Sequence, residues 1–80
     1  METKDFKLVG LGKQKSMTCE PLDKEDCFWP KVGLTQEHFD ALWKYQEGNW
    51  EDKLVAEIEH DGLDKYGIPR NGTVINVRPA

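Results

Sequence analysis

A small, mainly β barrel carrying one helix is the architecture this sequence predicts, and three observations predict it. Leu54–His60 alternates Leu54, Ala56 and Ile58 against Val55, Glu57 and Glu59, the two-residue period of a half-buried strand. Residues 73–78, Thr-Val-Ile-Asn-Val-Arg, form a second strand-like run. The stretch between them holds Gly62, Gly67, Pro69 and Gly72, residues that turn a chain back on itself. The third observation is rhythm: short candidate strands, punctuated by Gly and Pro, surround a single helical pattern. A helix competes for residues 49–62, with Asn49 as its cap, Glu51 and Asp52 in its first turn and Gly62 as its stop. The clean alternation, and the hairpin that a strand explains, favour the strand.

The elements follow in order. Residues 5–12 alternate Phe6, Leu8 and Gly10 against Lys7, Val9 and Leu11, and the glycines Gly10 and Gly12 suggest a bulge where a strand coils tightly. Residues 13–16 make a polar loop tip, and Met17, Thr18, Cys19 and Glu20 a short second strand that Pro21 interrupts. Residues 23–26 are a charged, solvated turn. Residues 27–33 are the third strand candidate, rich in aromatics, with Pro30 placing it at an edge or a bulge. Trp29 within it is read as packing, with a base-stacking platform as the alternative.

The helix is the most clearly written element. Thr35 is its N-cap, Glu37 lies in its first turn, and Leu34 with Phe39 staples the cap. Phe39, Leu42, Trp43 and Gln46 give the stripe that should plug one side of a sheet, and Gly48 is the expected stop. Residues 49–52 then feed the fourth strand. The resulting order, β-β-β-α-β-β, is that of a five-stranded OB-fold, a partly open Greek-key barrel that often binds oligonucleotides. An SH3-like barrel is the competitor, and it would normally lack so long a helix.

Composition narrows function further. Eighty residues are read as one domain, 1–80, too small to enclose a substrate cleft of its own. No apolar run approaches the roughly 20 residues of a membrane span. Residues 1–5 lead straight into a strand-like segment without the layout of a signal peptide, so a cytoplasmic location is expected. Cys19 and Cys27, with seven residues between them, fit neither a zinc pair nor a redox pair and are read as reduced thiols. Net charge is −4, of which residues 1–16 contribute +2 and the remaining 64 residues −6. An acidic whole argues against strong autonomous nucleic-acid binding, though not against a local basic edge.

Three blocks carry a family resemblance over nearly the whole chain: Asp5-Phe6-Lys7-Leu8-Val9-Gly10, Lys31-Val32-Gly33-Leu34-Thr35 through Leu42-Trp43, and Leu54 to Arg78. They resemble, respectively, the first strand ending in Val-Gly, the Gly-Ser-Gly-Leu-Thr opening of a helix ending in Leu-Trp, and the closing strands of the C-terminal OB-fold domain of ATP-dependent DNA ligases. In that last block the family runs Asp-Gly-Ser-Leu-Arg-His-Pro and then Arg-x-Arg-x-Asp-Lys. Aligning Gly67 with the family's glycine puts Arg70 on the first arginine and Arg78 on the second arginine of the closing motif. The chain departs from the pattern at Asn76, where the family has an arginine, at Gly72, where it has proline, and at Pro79-Ala80, where Asp-Lys would be reached.

The resemblance implies a non-catalytic domain that grips nicked duplex DNA in replication and repair and assists a separate nucleotidyltransferase domain, in cis or in trans. The adenylylated lysine of the Lys-x-Asp-Gly motif is missing, because Glu59-His60-Asp61-Gly62 has glutamate in its place. The chain is therefore not a ligase by itself; ATP and Mg2+ are implied for the full ligase, and no cofactor for this chain alone. DNA contact is expected from Arg70, Arg78, Lys31, Lys13 and Lys15, with Arg78 also the cation for nucleotide phosphate, since a guanidinium binds phosphate oxygens bidentately. A monomer is expected. The alternative is an acidic OB- or SH3-like protein-interaction module without nucleic-acid binding. An enzyme acting alone would have to use His60, Asp61 and Asp64, which a polar turn explains more simply.

Overall fold

The computed structural model describes residues 1–49 and 53–80. It contains β1 (Glu2–Gly12), β2 (Ser16–Glu20), β3 (Lys31–Val32), α1 (Gln36–Asn49), β4 (Leu54–His60) and β5 (Thr73–Pro79), in the expected order. The strands form one sheet, β2-β1-β4-β5-β3. All neighbours are antiparallel except β3 and β5, which run parallel. The two sheet edges meet where Cys19 and Phe28 exchange both main-chain hydrogen bonds, at 2.9 and 2.8 Å, so the sheet nearly closes into an OB-like barrel.

β1 is long enough to serve two partners. Its first half pairs with β4 from Glu2 opposite His60 to Leu8 opposite Leu54, and its second half pairs with β2. The ladder shifts between Leu8 and Gly10, the bulge that the glycine pattern suggested, and Val9 is thereby turned out to solvent. Residues 54–60 are a strand and not a helix. The core includes Phe6, Leu8, Met17, Cys19, Phe28, Leu54, Ala56, Ile58 and Val74, with Phe6 and Phe28 edge to face at 5.2 Å between ring centroids.

Two expectations need correction. The third strand shrinks from residues 27–33 to Lys31 and Val32, with Phe28 an isolated bridge. Pro30 explains this, because it has no N–H to give to a ladder. Gly48 is not the helix stop but a helical residue, since α1 runs through Asn49. Trp50, Glu51 and Asp52, expected to lead into β4, lie outside the described residues.

The helix start follows the sequence closely. The Thr35 hydroxyl accepts the N–H of His38 at 3.1 Å, and the Thr35 carbonyl accepts that of Phe39 at 3.0 Å. Leu34 and Phe39 are buried in the core, and Leu42 and Trp43 pack against it. Just before the helix, Gly33 comes so close to β5 that an added Cβ would sit 2.9 Å from the Val74 carbonyl oxygen. Only glycine leaves room for that parallel pairing. No described helix is long and apolar enough to cross a membrane.

Candidate functional site

The two ends of the barrel differ because β1 separates them. The β1–β2 loop follows Gly12 and faces α1, whereas the loop of residues 61–72 follows His60, beside the start of β1. Residues 21–30, between β2 and β3, reach the same end as residues 61–72: the Lys24 ammonium donates to the Tyr66 carbonyl at 3.3 Å.

The loop of residues 61–72 is an ordered miniature hairpin. The Asp64 carboxylate accepts the N–H groups of Tyr66 (2.8 Å) and Ile68 (3.0 Å), and Leu63 bridges Pro69. Gly67 takes φ of 78°, a conformation that glycine adopts without strain. Arg70 is clamped on both sides, its N–H to the Gly62 carbonyl at 2.8 Å and its carbonyl to the Asp61 N–H at 3.0 Å. His60 is buried, and its Nδ1 accepts the Gly62 N–H at 2.9 Å. Asp61 accepts from the Asn71 amide at 3.2 Å. His60, Asp61 and Asp64 therefore each build the turn.

Between this hairpin and residues 28–31 lies a groove of about 240 Å3. Phe28, Trp29, Pro30 and Lys31 form one wall, and Ile68, Pro69, Asn71 and Gly72 the other. Phe28 is buried, whereas Trp29 is 71% exposed. This overturns the packing reading of Trp29. Neighbouring residues of an extended chain point to opposite sides, so Phe28 and Trp29 could not both enter one core. Arg70 stands exposed between the groove residues Pro69 and Asn71, and Lys31, also exposed, is one of the residues that line the groove. Neither makes an ion pair among the described residues. Asn71, with φ of 52°, holds a left-handed conformation at the lip.

The other expected cations lie elsewhere. Lys13 and Lys15 line a separate groove of about 260 Å3 with Gln14, Gln36, Phe39, Asp40 and Trp43, at the α1 end. Gln14 and Lys15 both have positive φ, 64° and 60°, in the tight turn that joins β1 to β2. Arg78 sits on the outer face of the sheet. Its guanidinium pairs with Asp5 of β1 and, through Nε at 3.1 Å, with Glu57 of β4. Asn76 donates to the same Glu57 at 3.1 Å, and Lys7 pairs with Glu20 at 3.3 Å. Reaching a phosphate would cost Arg78 both carboxylate partners.

The thiols divide by location. Cys19 is buried beside the barrel closure, and desolvation pushes its pKa up to about 12. Cys27 is exposed and donates to Glu20 at 3.4 Å, a hydrogen bond that raises its pKa. Among the described residues no three His, Cys, Asp or Glu side chains converge as a metal site.

Sequence reasoning missed Asn71 as a groove residue and ranked a stacking role for Trp29 behind packing. The pair of adjacent aromatics followed by proline was the available signal for Trp29. No family model, curated protein or solved structure matches the chain.

Proposed function

We propose that this barrel is a non-catalytic DNA-binding module that grips nicked DNA for a separate nucleotidyltransferase domain, in a cytoplasmic ligation system. One observation carries the reading: the groove at the loop end combines a solvent-facing Trp29 with Lys31 in its wall and Arg70 beside it, and neither cation is ion-paired among the described residues. Rings of this kind stack on bases and cations of this kind meet phosphates, and OB barrels take oligonucleotides at such loops. The ligase setting rests on the resemblance of the three sequence blocks. Of the expected cations, Arg70 and Lys31 fit the role best, Lys13 and Lys15 would extend the contact to the far end, and Arg78 holds strands together.

The test is a titration of fluorescently labelled nicked duplex at about 20 mM and about 150 mM salt, a range over which phosphate-dominated affinity falls steeply. Binding at the lower salt that weakens at the higher and is reduced by Arg70→Ala supports the proposal. No binding at either salt overturns it.

A second reading, an acidic protein-interaction module, is favoured by a different observation. Leu22, Leu63 and Tyr66 are exposed on the same two loops as Trp29, and the chain carries a net charge of −4. Retention of a basic protein partner, lost on Tyr66→Ala and unaffected by DNA competitor, would favour this reading.

A further inference from the structure

Stacking needs an open aromatic face, and a paired base offers none, because its own faces are covered by neighbours in the duplex. Trp29, at 71% exposure, has such a face, above a core sealed by Phe28. The groove's volume of about 240 Å3 falls below the roughly 300–1,000 Å3 of pockets that enclose a whole small ligand. It has room for one ring system laid against an open wall. Pro69 and Ile68 supply apolar surface opposite the indole. Asn71 has its amide nitrogen committed to Asp61, which leaves its carbonyl oxygen as an acceptor on the lip.

The cations point the same way. Gripping a duplex along its backbone needs a row of free Lys and Arg side chains, but two of those on the sheet's outer face, Lys7 and Arg78, are neutralised by Glu20, Asp5 and Glu57. At the loop end Lys24 is held to the Tyr66 carbonyl and Lys65 lies over the Tyr66 ring, so the cations at the groove itself are Lys31 on one wall and Arg70 next to the other, available to the phosphates that flank a single seated base.

We propose that the groove between residues 28–31 and 68–72 seats one unpaired base of a DNA strand on Trp29, such as a frayed or displaced nucleotide at a nick. The inference rests on the DNA-binding reading and specifies its ligand. Unpaired strand is the preferred substrate, and intact duplex is bound only through phosphate contacts. The strand tracks from Lys31 across the indole to Arg70. Trp29 supplies stacking and makes no sequence choice, because every base has a π-face.

The experiment uses three labelled probes on the full chain at about 20 mM salt: a single-stranded oligodeoxythymidylate of about 12 nucleotides, within the site sizes of OB barrels; an intact duplex; and a nicked duplex with a one-nucleotide flap. The variants are Trp29→Ala, Trp29→Phe and Arg70→Ala, each checked by thermal melting. Trp29 is a surface residue, so its variants should melt as the parent does. Loss of a base-stacking contact predicts single-strand and flap affinity about 5- to 150-fold weaker for Trp29→Ala. Trp29→Phe should restore most of that loss, and neither Trp29 substitution should change intact-duplex affinity, which Arg70→Ala should weaken. Equal loss on all three probes, or no loss with Trp29→Ala while Arg70→Ala weakens nicked-duplex binding, overturns the unpaired-base inference and leaves DNA binding standing. Failure of the parent chain to bind any probe overturns both.

Discussion

Phe28 is the residue on which closure of the barrel depends, and its truncation gives the sharpest test of the fold. Its ring is 7% exposed and packs edge to face on Phe6, 5.2 Å away, while its main chain bonds Cys19 in both directions. Phe28→Ala leaves those main-chain bonds intact, so the loss is the side chain's own. Buried Phe→Ala changes cost about 3–5 kcal/mol. The lower end applies here, because Phe28 borders the groove and solvent can enter part of the space it vacates. A domain of this size is held by about 4–12 kcal/mol in all, so a loss of about 3 kcal/mol is a large share of it. Equilibrium urea unfolding should show the midpoint falling with m unchanged, and the melting temperature should drop by about 12–24 °C. Phe28→Leu, which keeps most of the volume, should lose about 1.5 kcal/mol or less. A loss of about 0.5 kcal/mol or less for Phe28→Ala, the range of ordinary surface changes, would refute the packing of the Phe28 ring in the core at the closure.

Three further outcomes follow from the same geometry. Gly33→Ala should destabilise by about 1–3 kcal/mol in urea, because its Cβ would meet the Val74 carbonyl, whereas Gly48→Ala, with open space around it inside α1, should be neutral or stabilise by up to about 1 kcal/mol. A thiol reagent should modify Cys27 alone in the folded chain, and faster as pH rises. Glu20 raises that thiol's pKa, so Glu20→Gln should shift the rate profile to lower pH; mass spectrometry of timed samples reads both, with Cys19 reacting only on unfolding. Arg78→Ala should lower stability by about 1 kcal/mol or less, because the Arg78 side chain is 44% exposed and its pairs are solvent-screened, and should leave affinity for nicked duplex within about twofold.

Much of the fold was legible because its signals are local. Two-residue alternation wrote β4, Thr35 and Leu34 wrote the start of α1, and Gly10 marked the bulge in β1. The features that were not legible depend on tertiary geometry. Whether Gly48 ends a helix depends on a backbone angle that packing sets, and a glycine one residue before the end serves either way. The third strand was overextended because aromatic β-propensity was weighed above the missing N–H of Pro30. The site shows the same division. Arg70 was marked by its place in a turn, but Arg78 reads identically as a phosphate ligand or a structural cation until Asp5 and Glu57 are placed beside it. Those partners come from two other strands, 73 and 21 residues away in sequence. Trp29 was misjudged because a small core makes packing the better expectation for any aromatic, and only the placement of Phe28 shows which of the two rings is inside.

The most direct test of the central claim, that the loop-end groove meets DNA through Lys31 and Arg70, is the salt dependence of nicked-duplex affinity for the parent chain and for Lys31→Ala and Arg70→Ala. Each phosphate contact contributes about 0.7–0.9 to the slope of log affinity against log salt. Two contacts give the parent a slope near −1.4 to −1.8, and each substitution should reduce it by about 0.7–0.9. A slope unchanged by both substitutions would contradict the account.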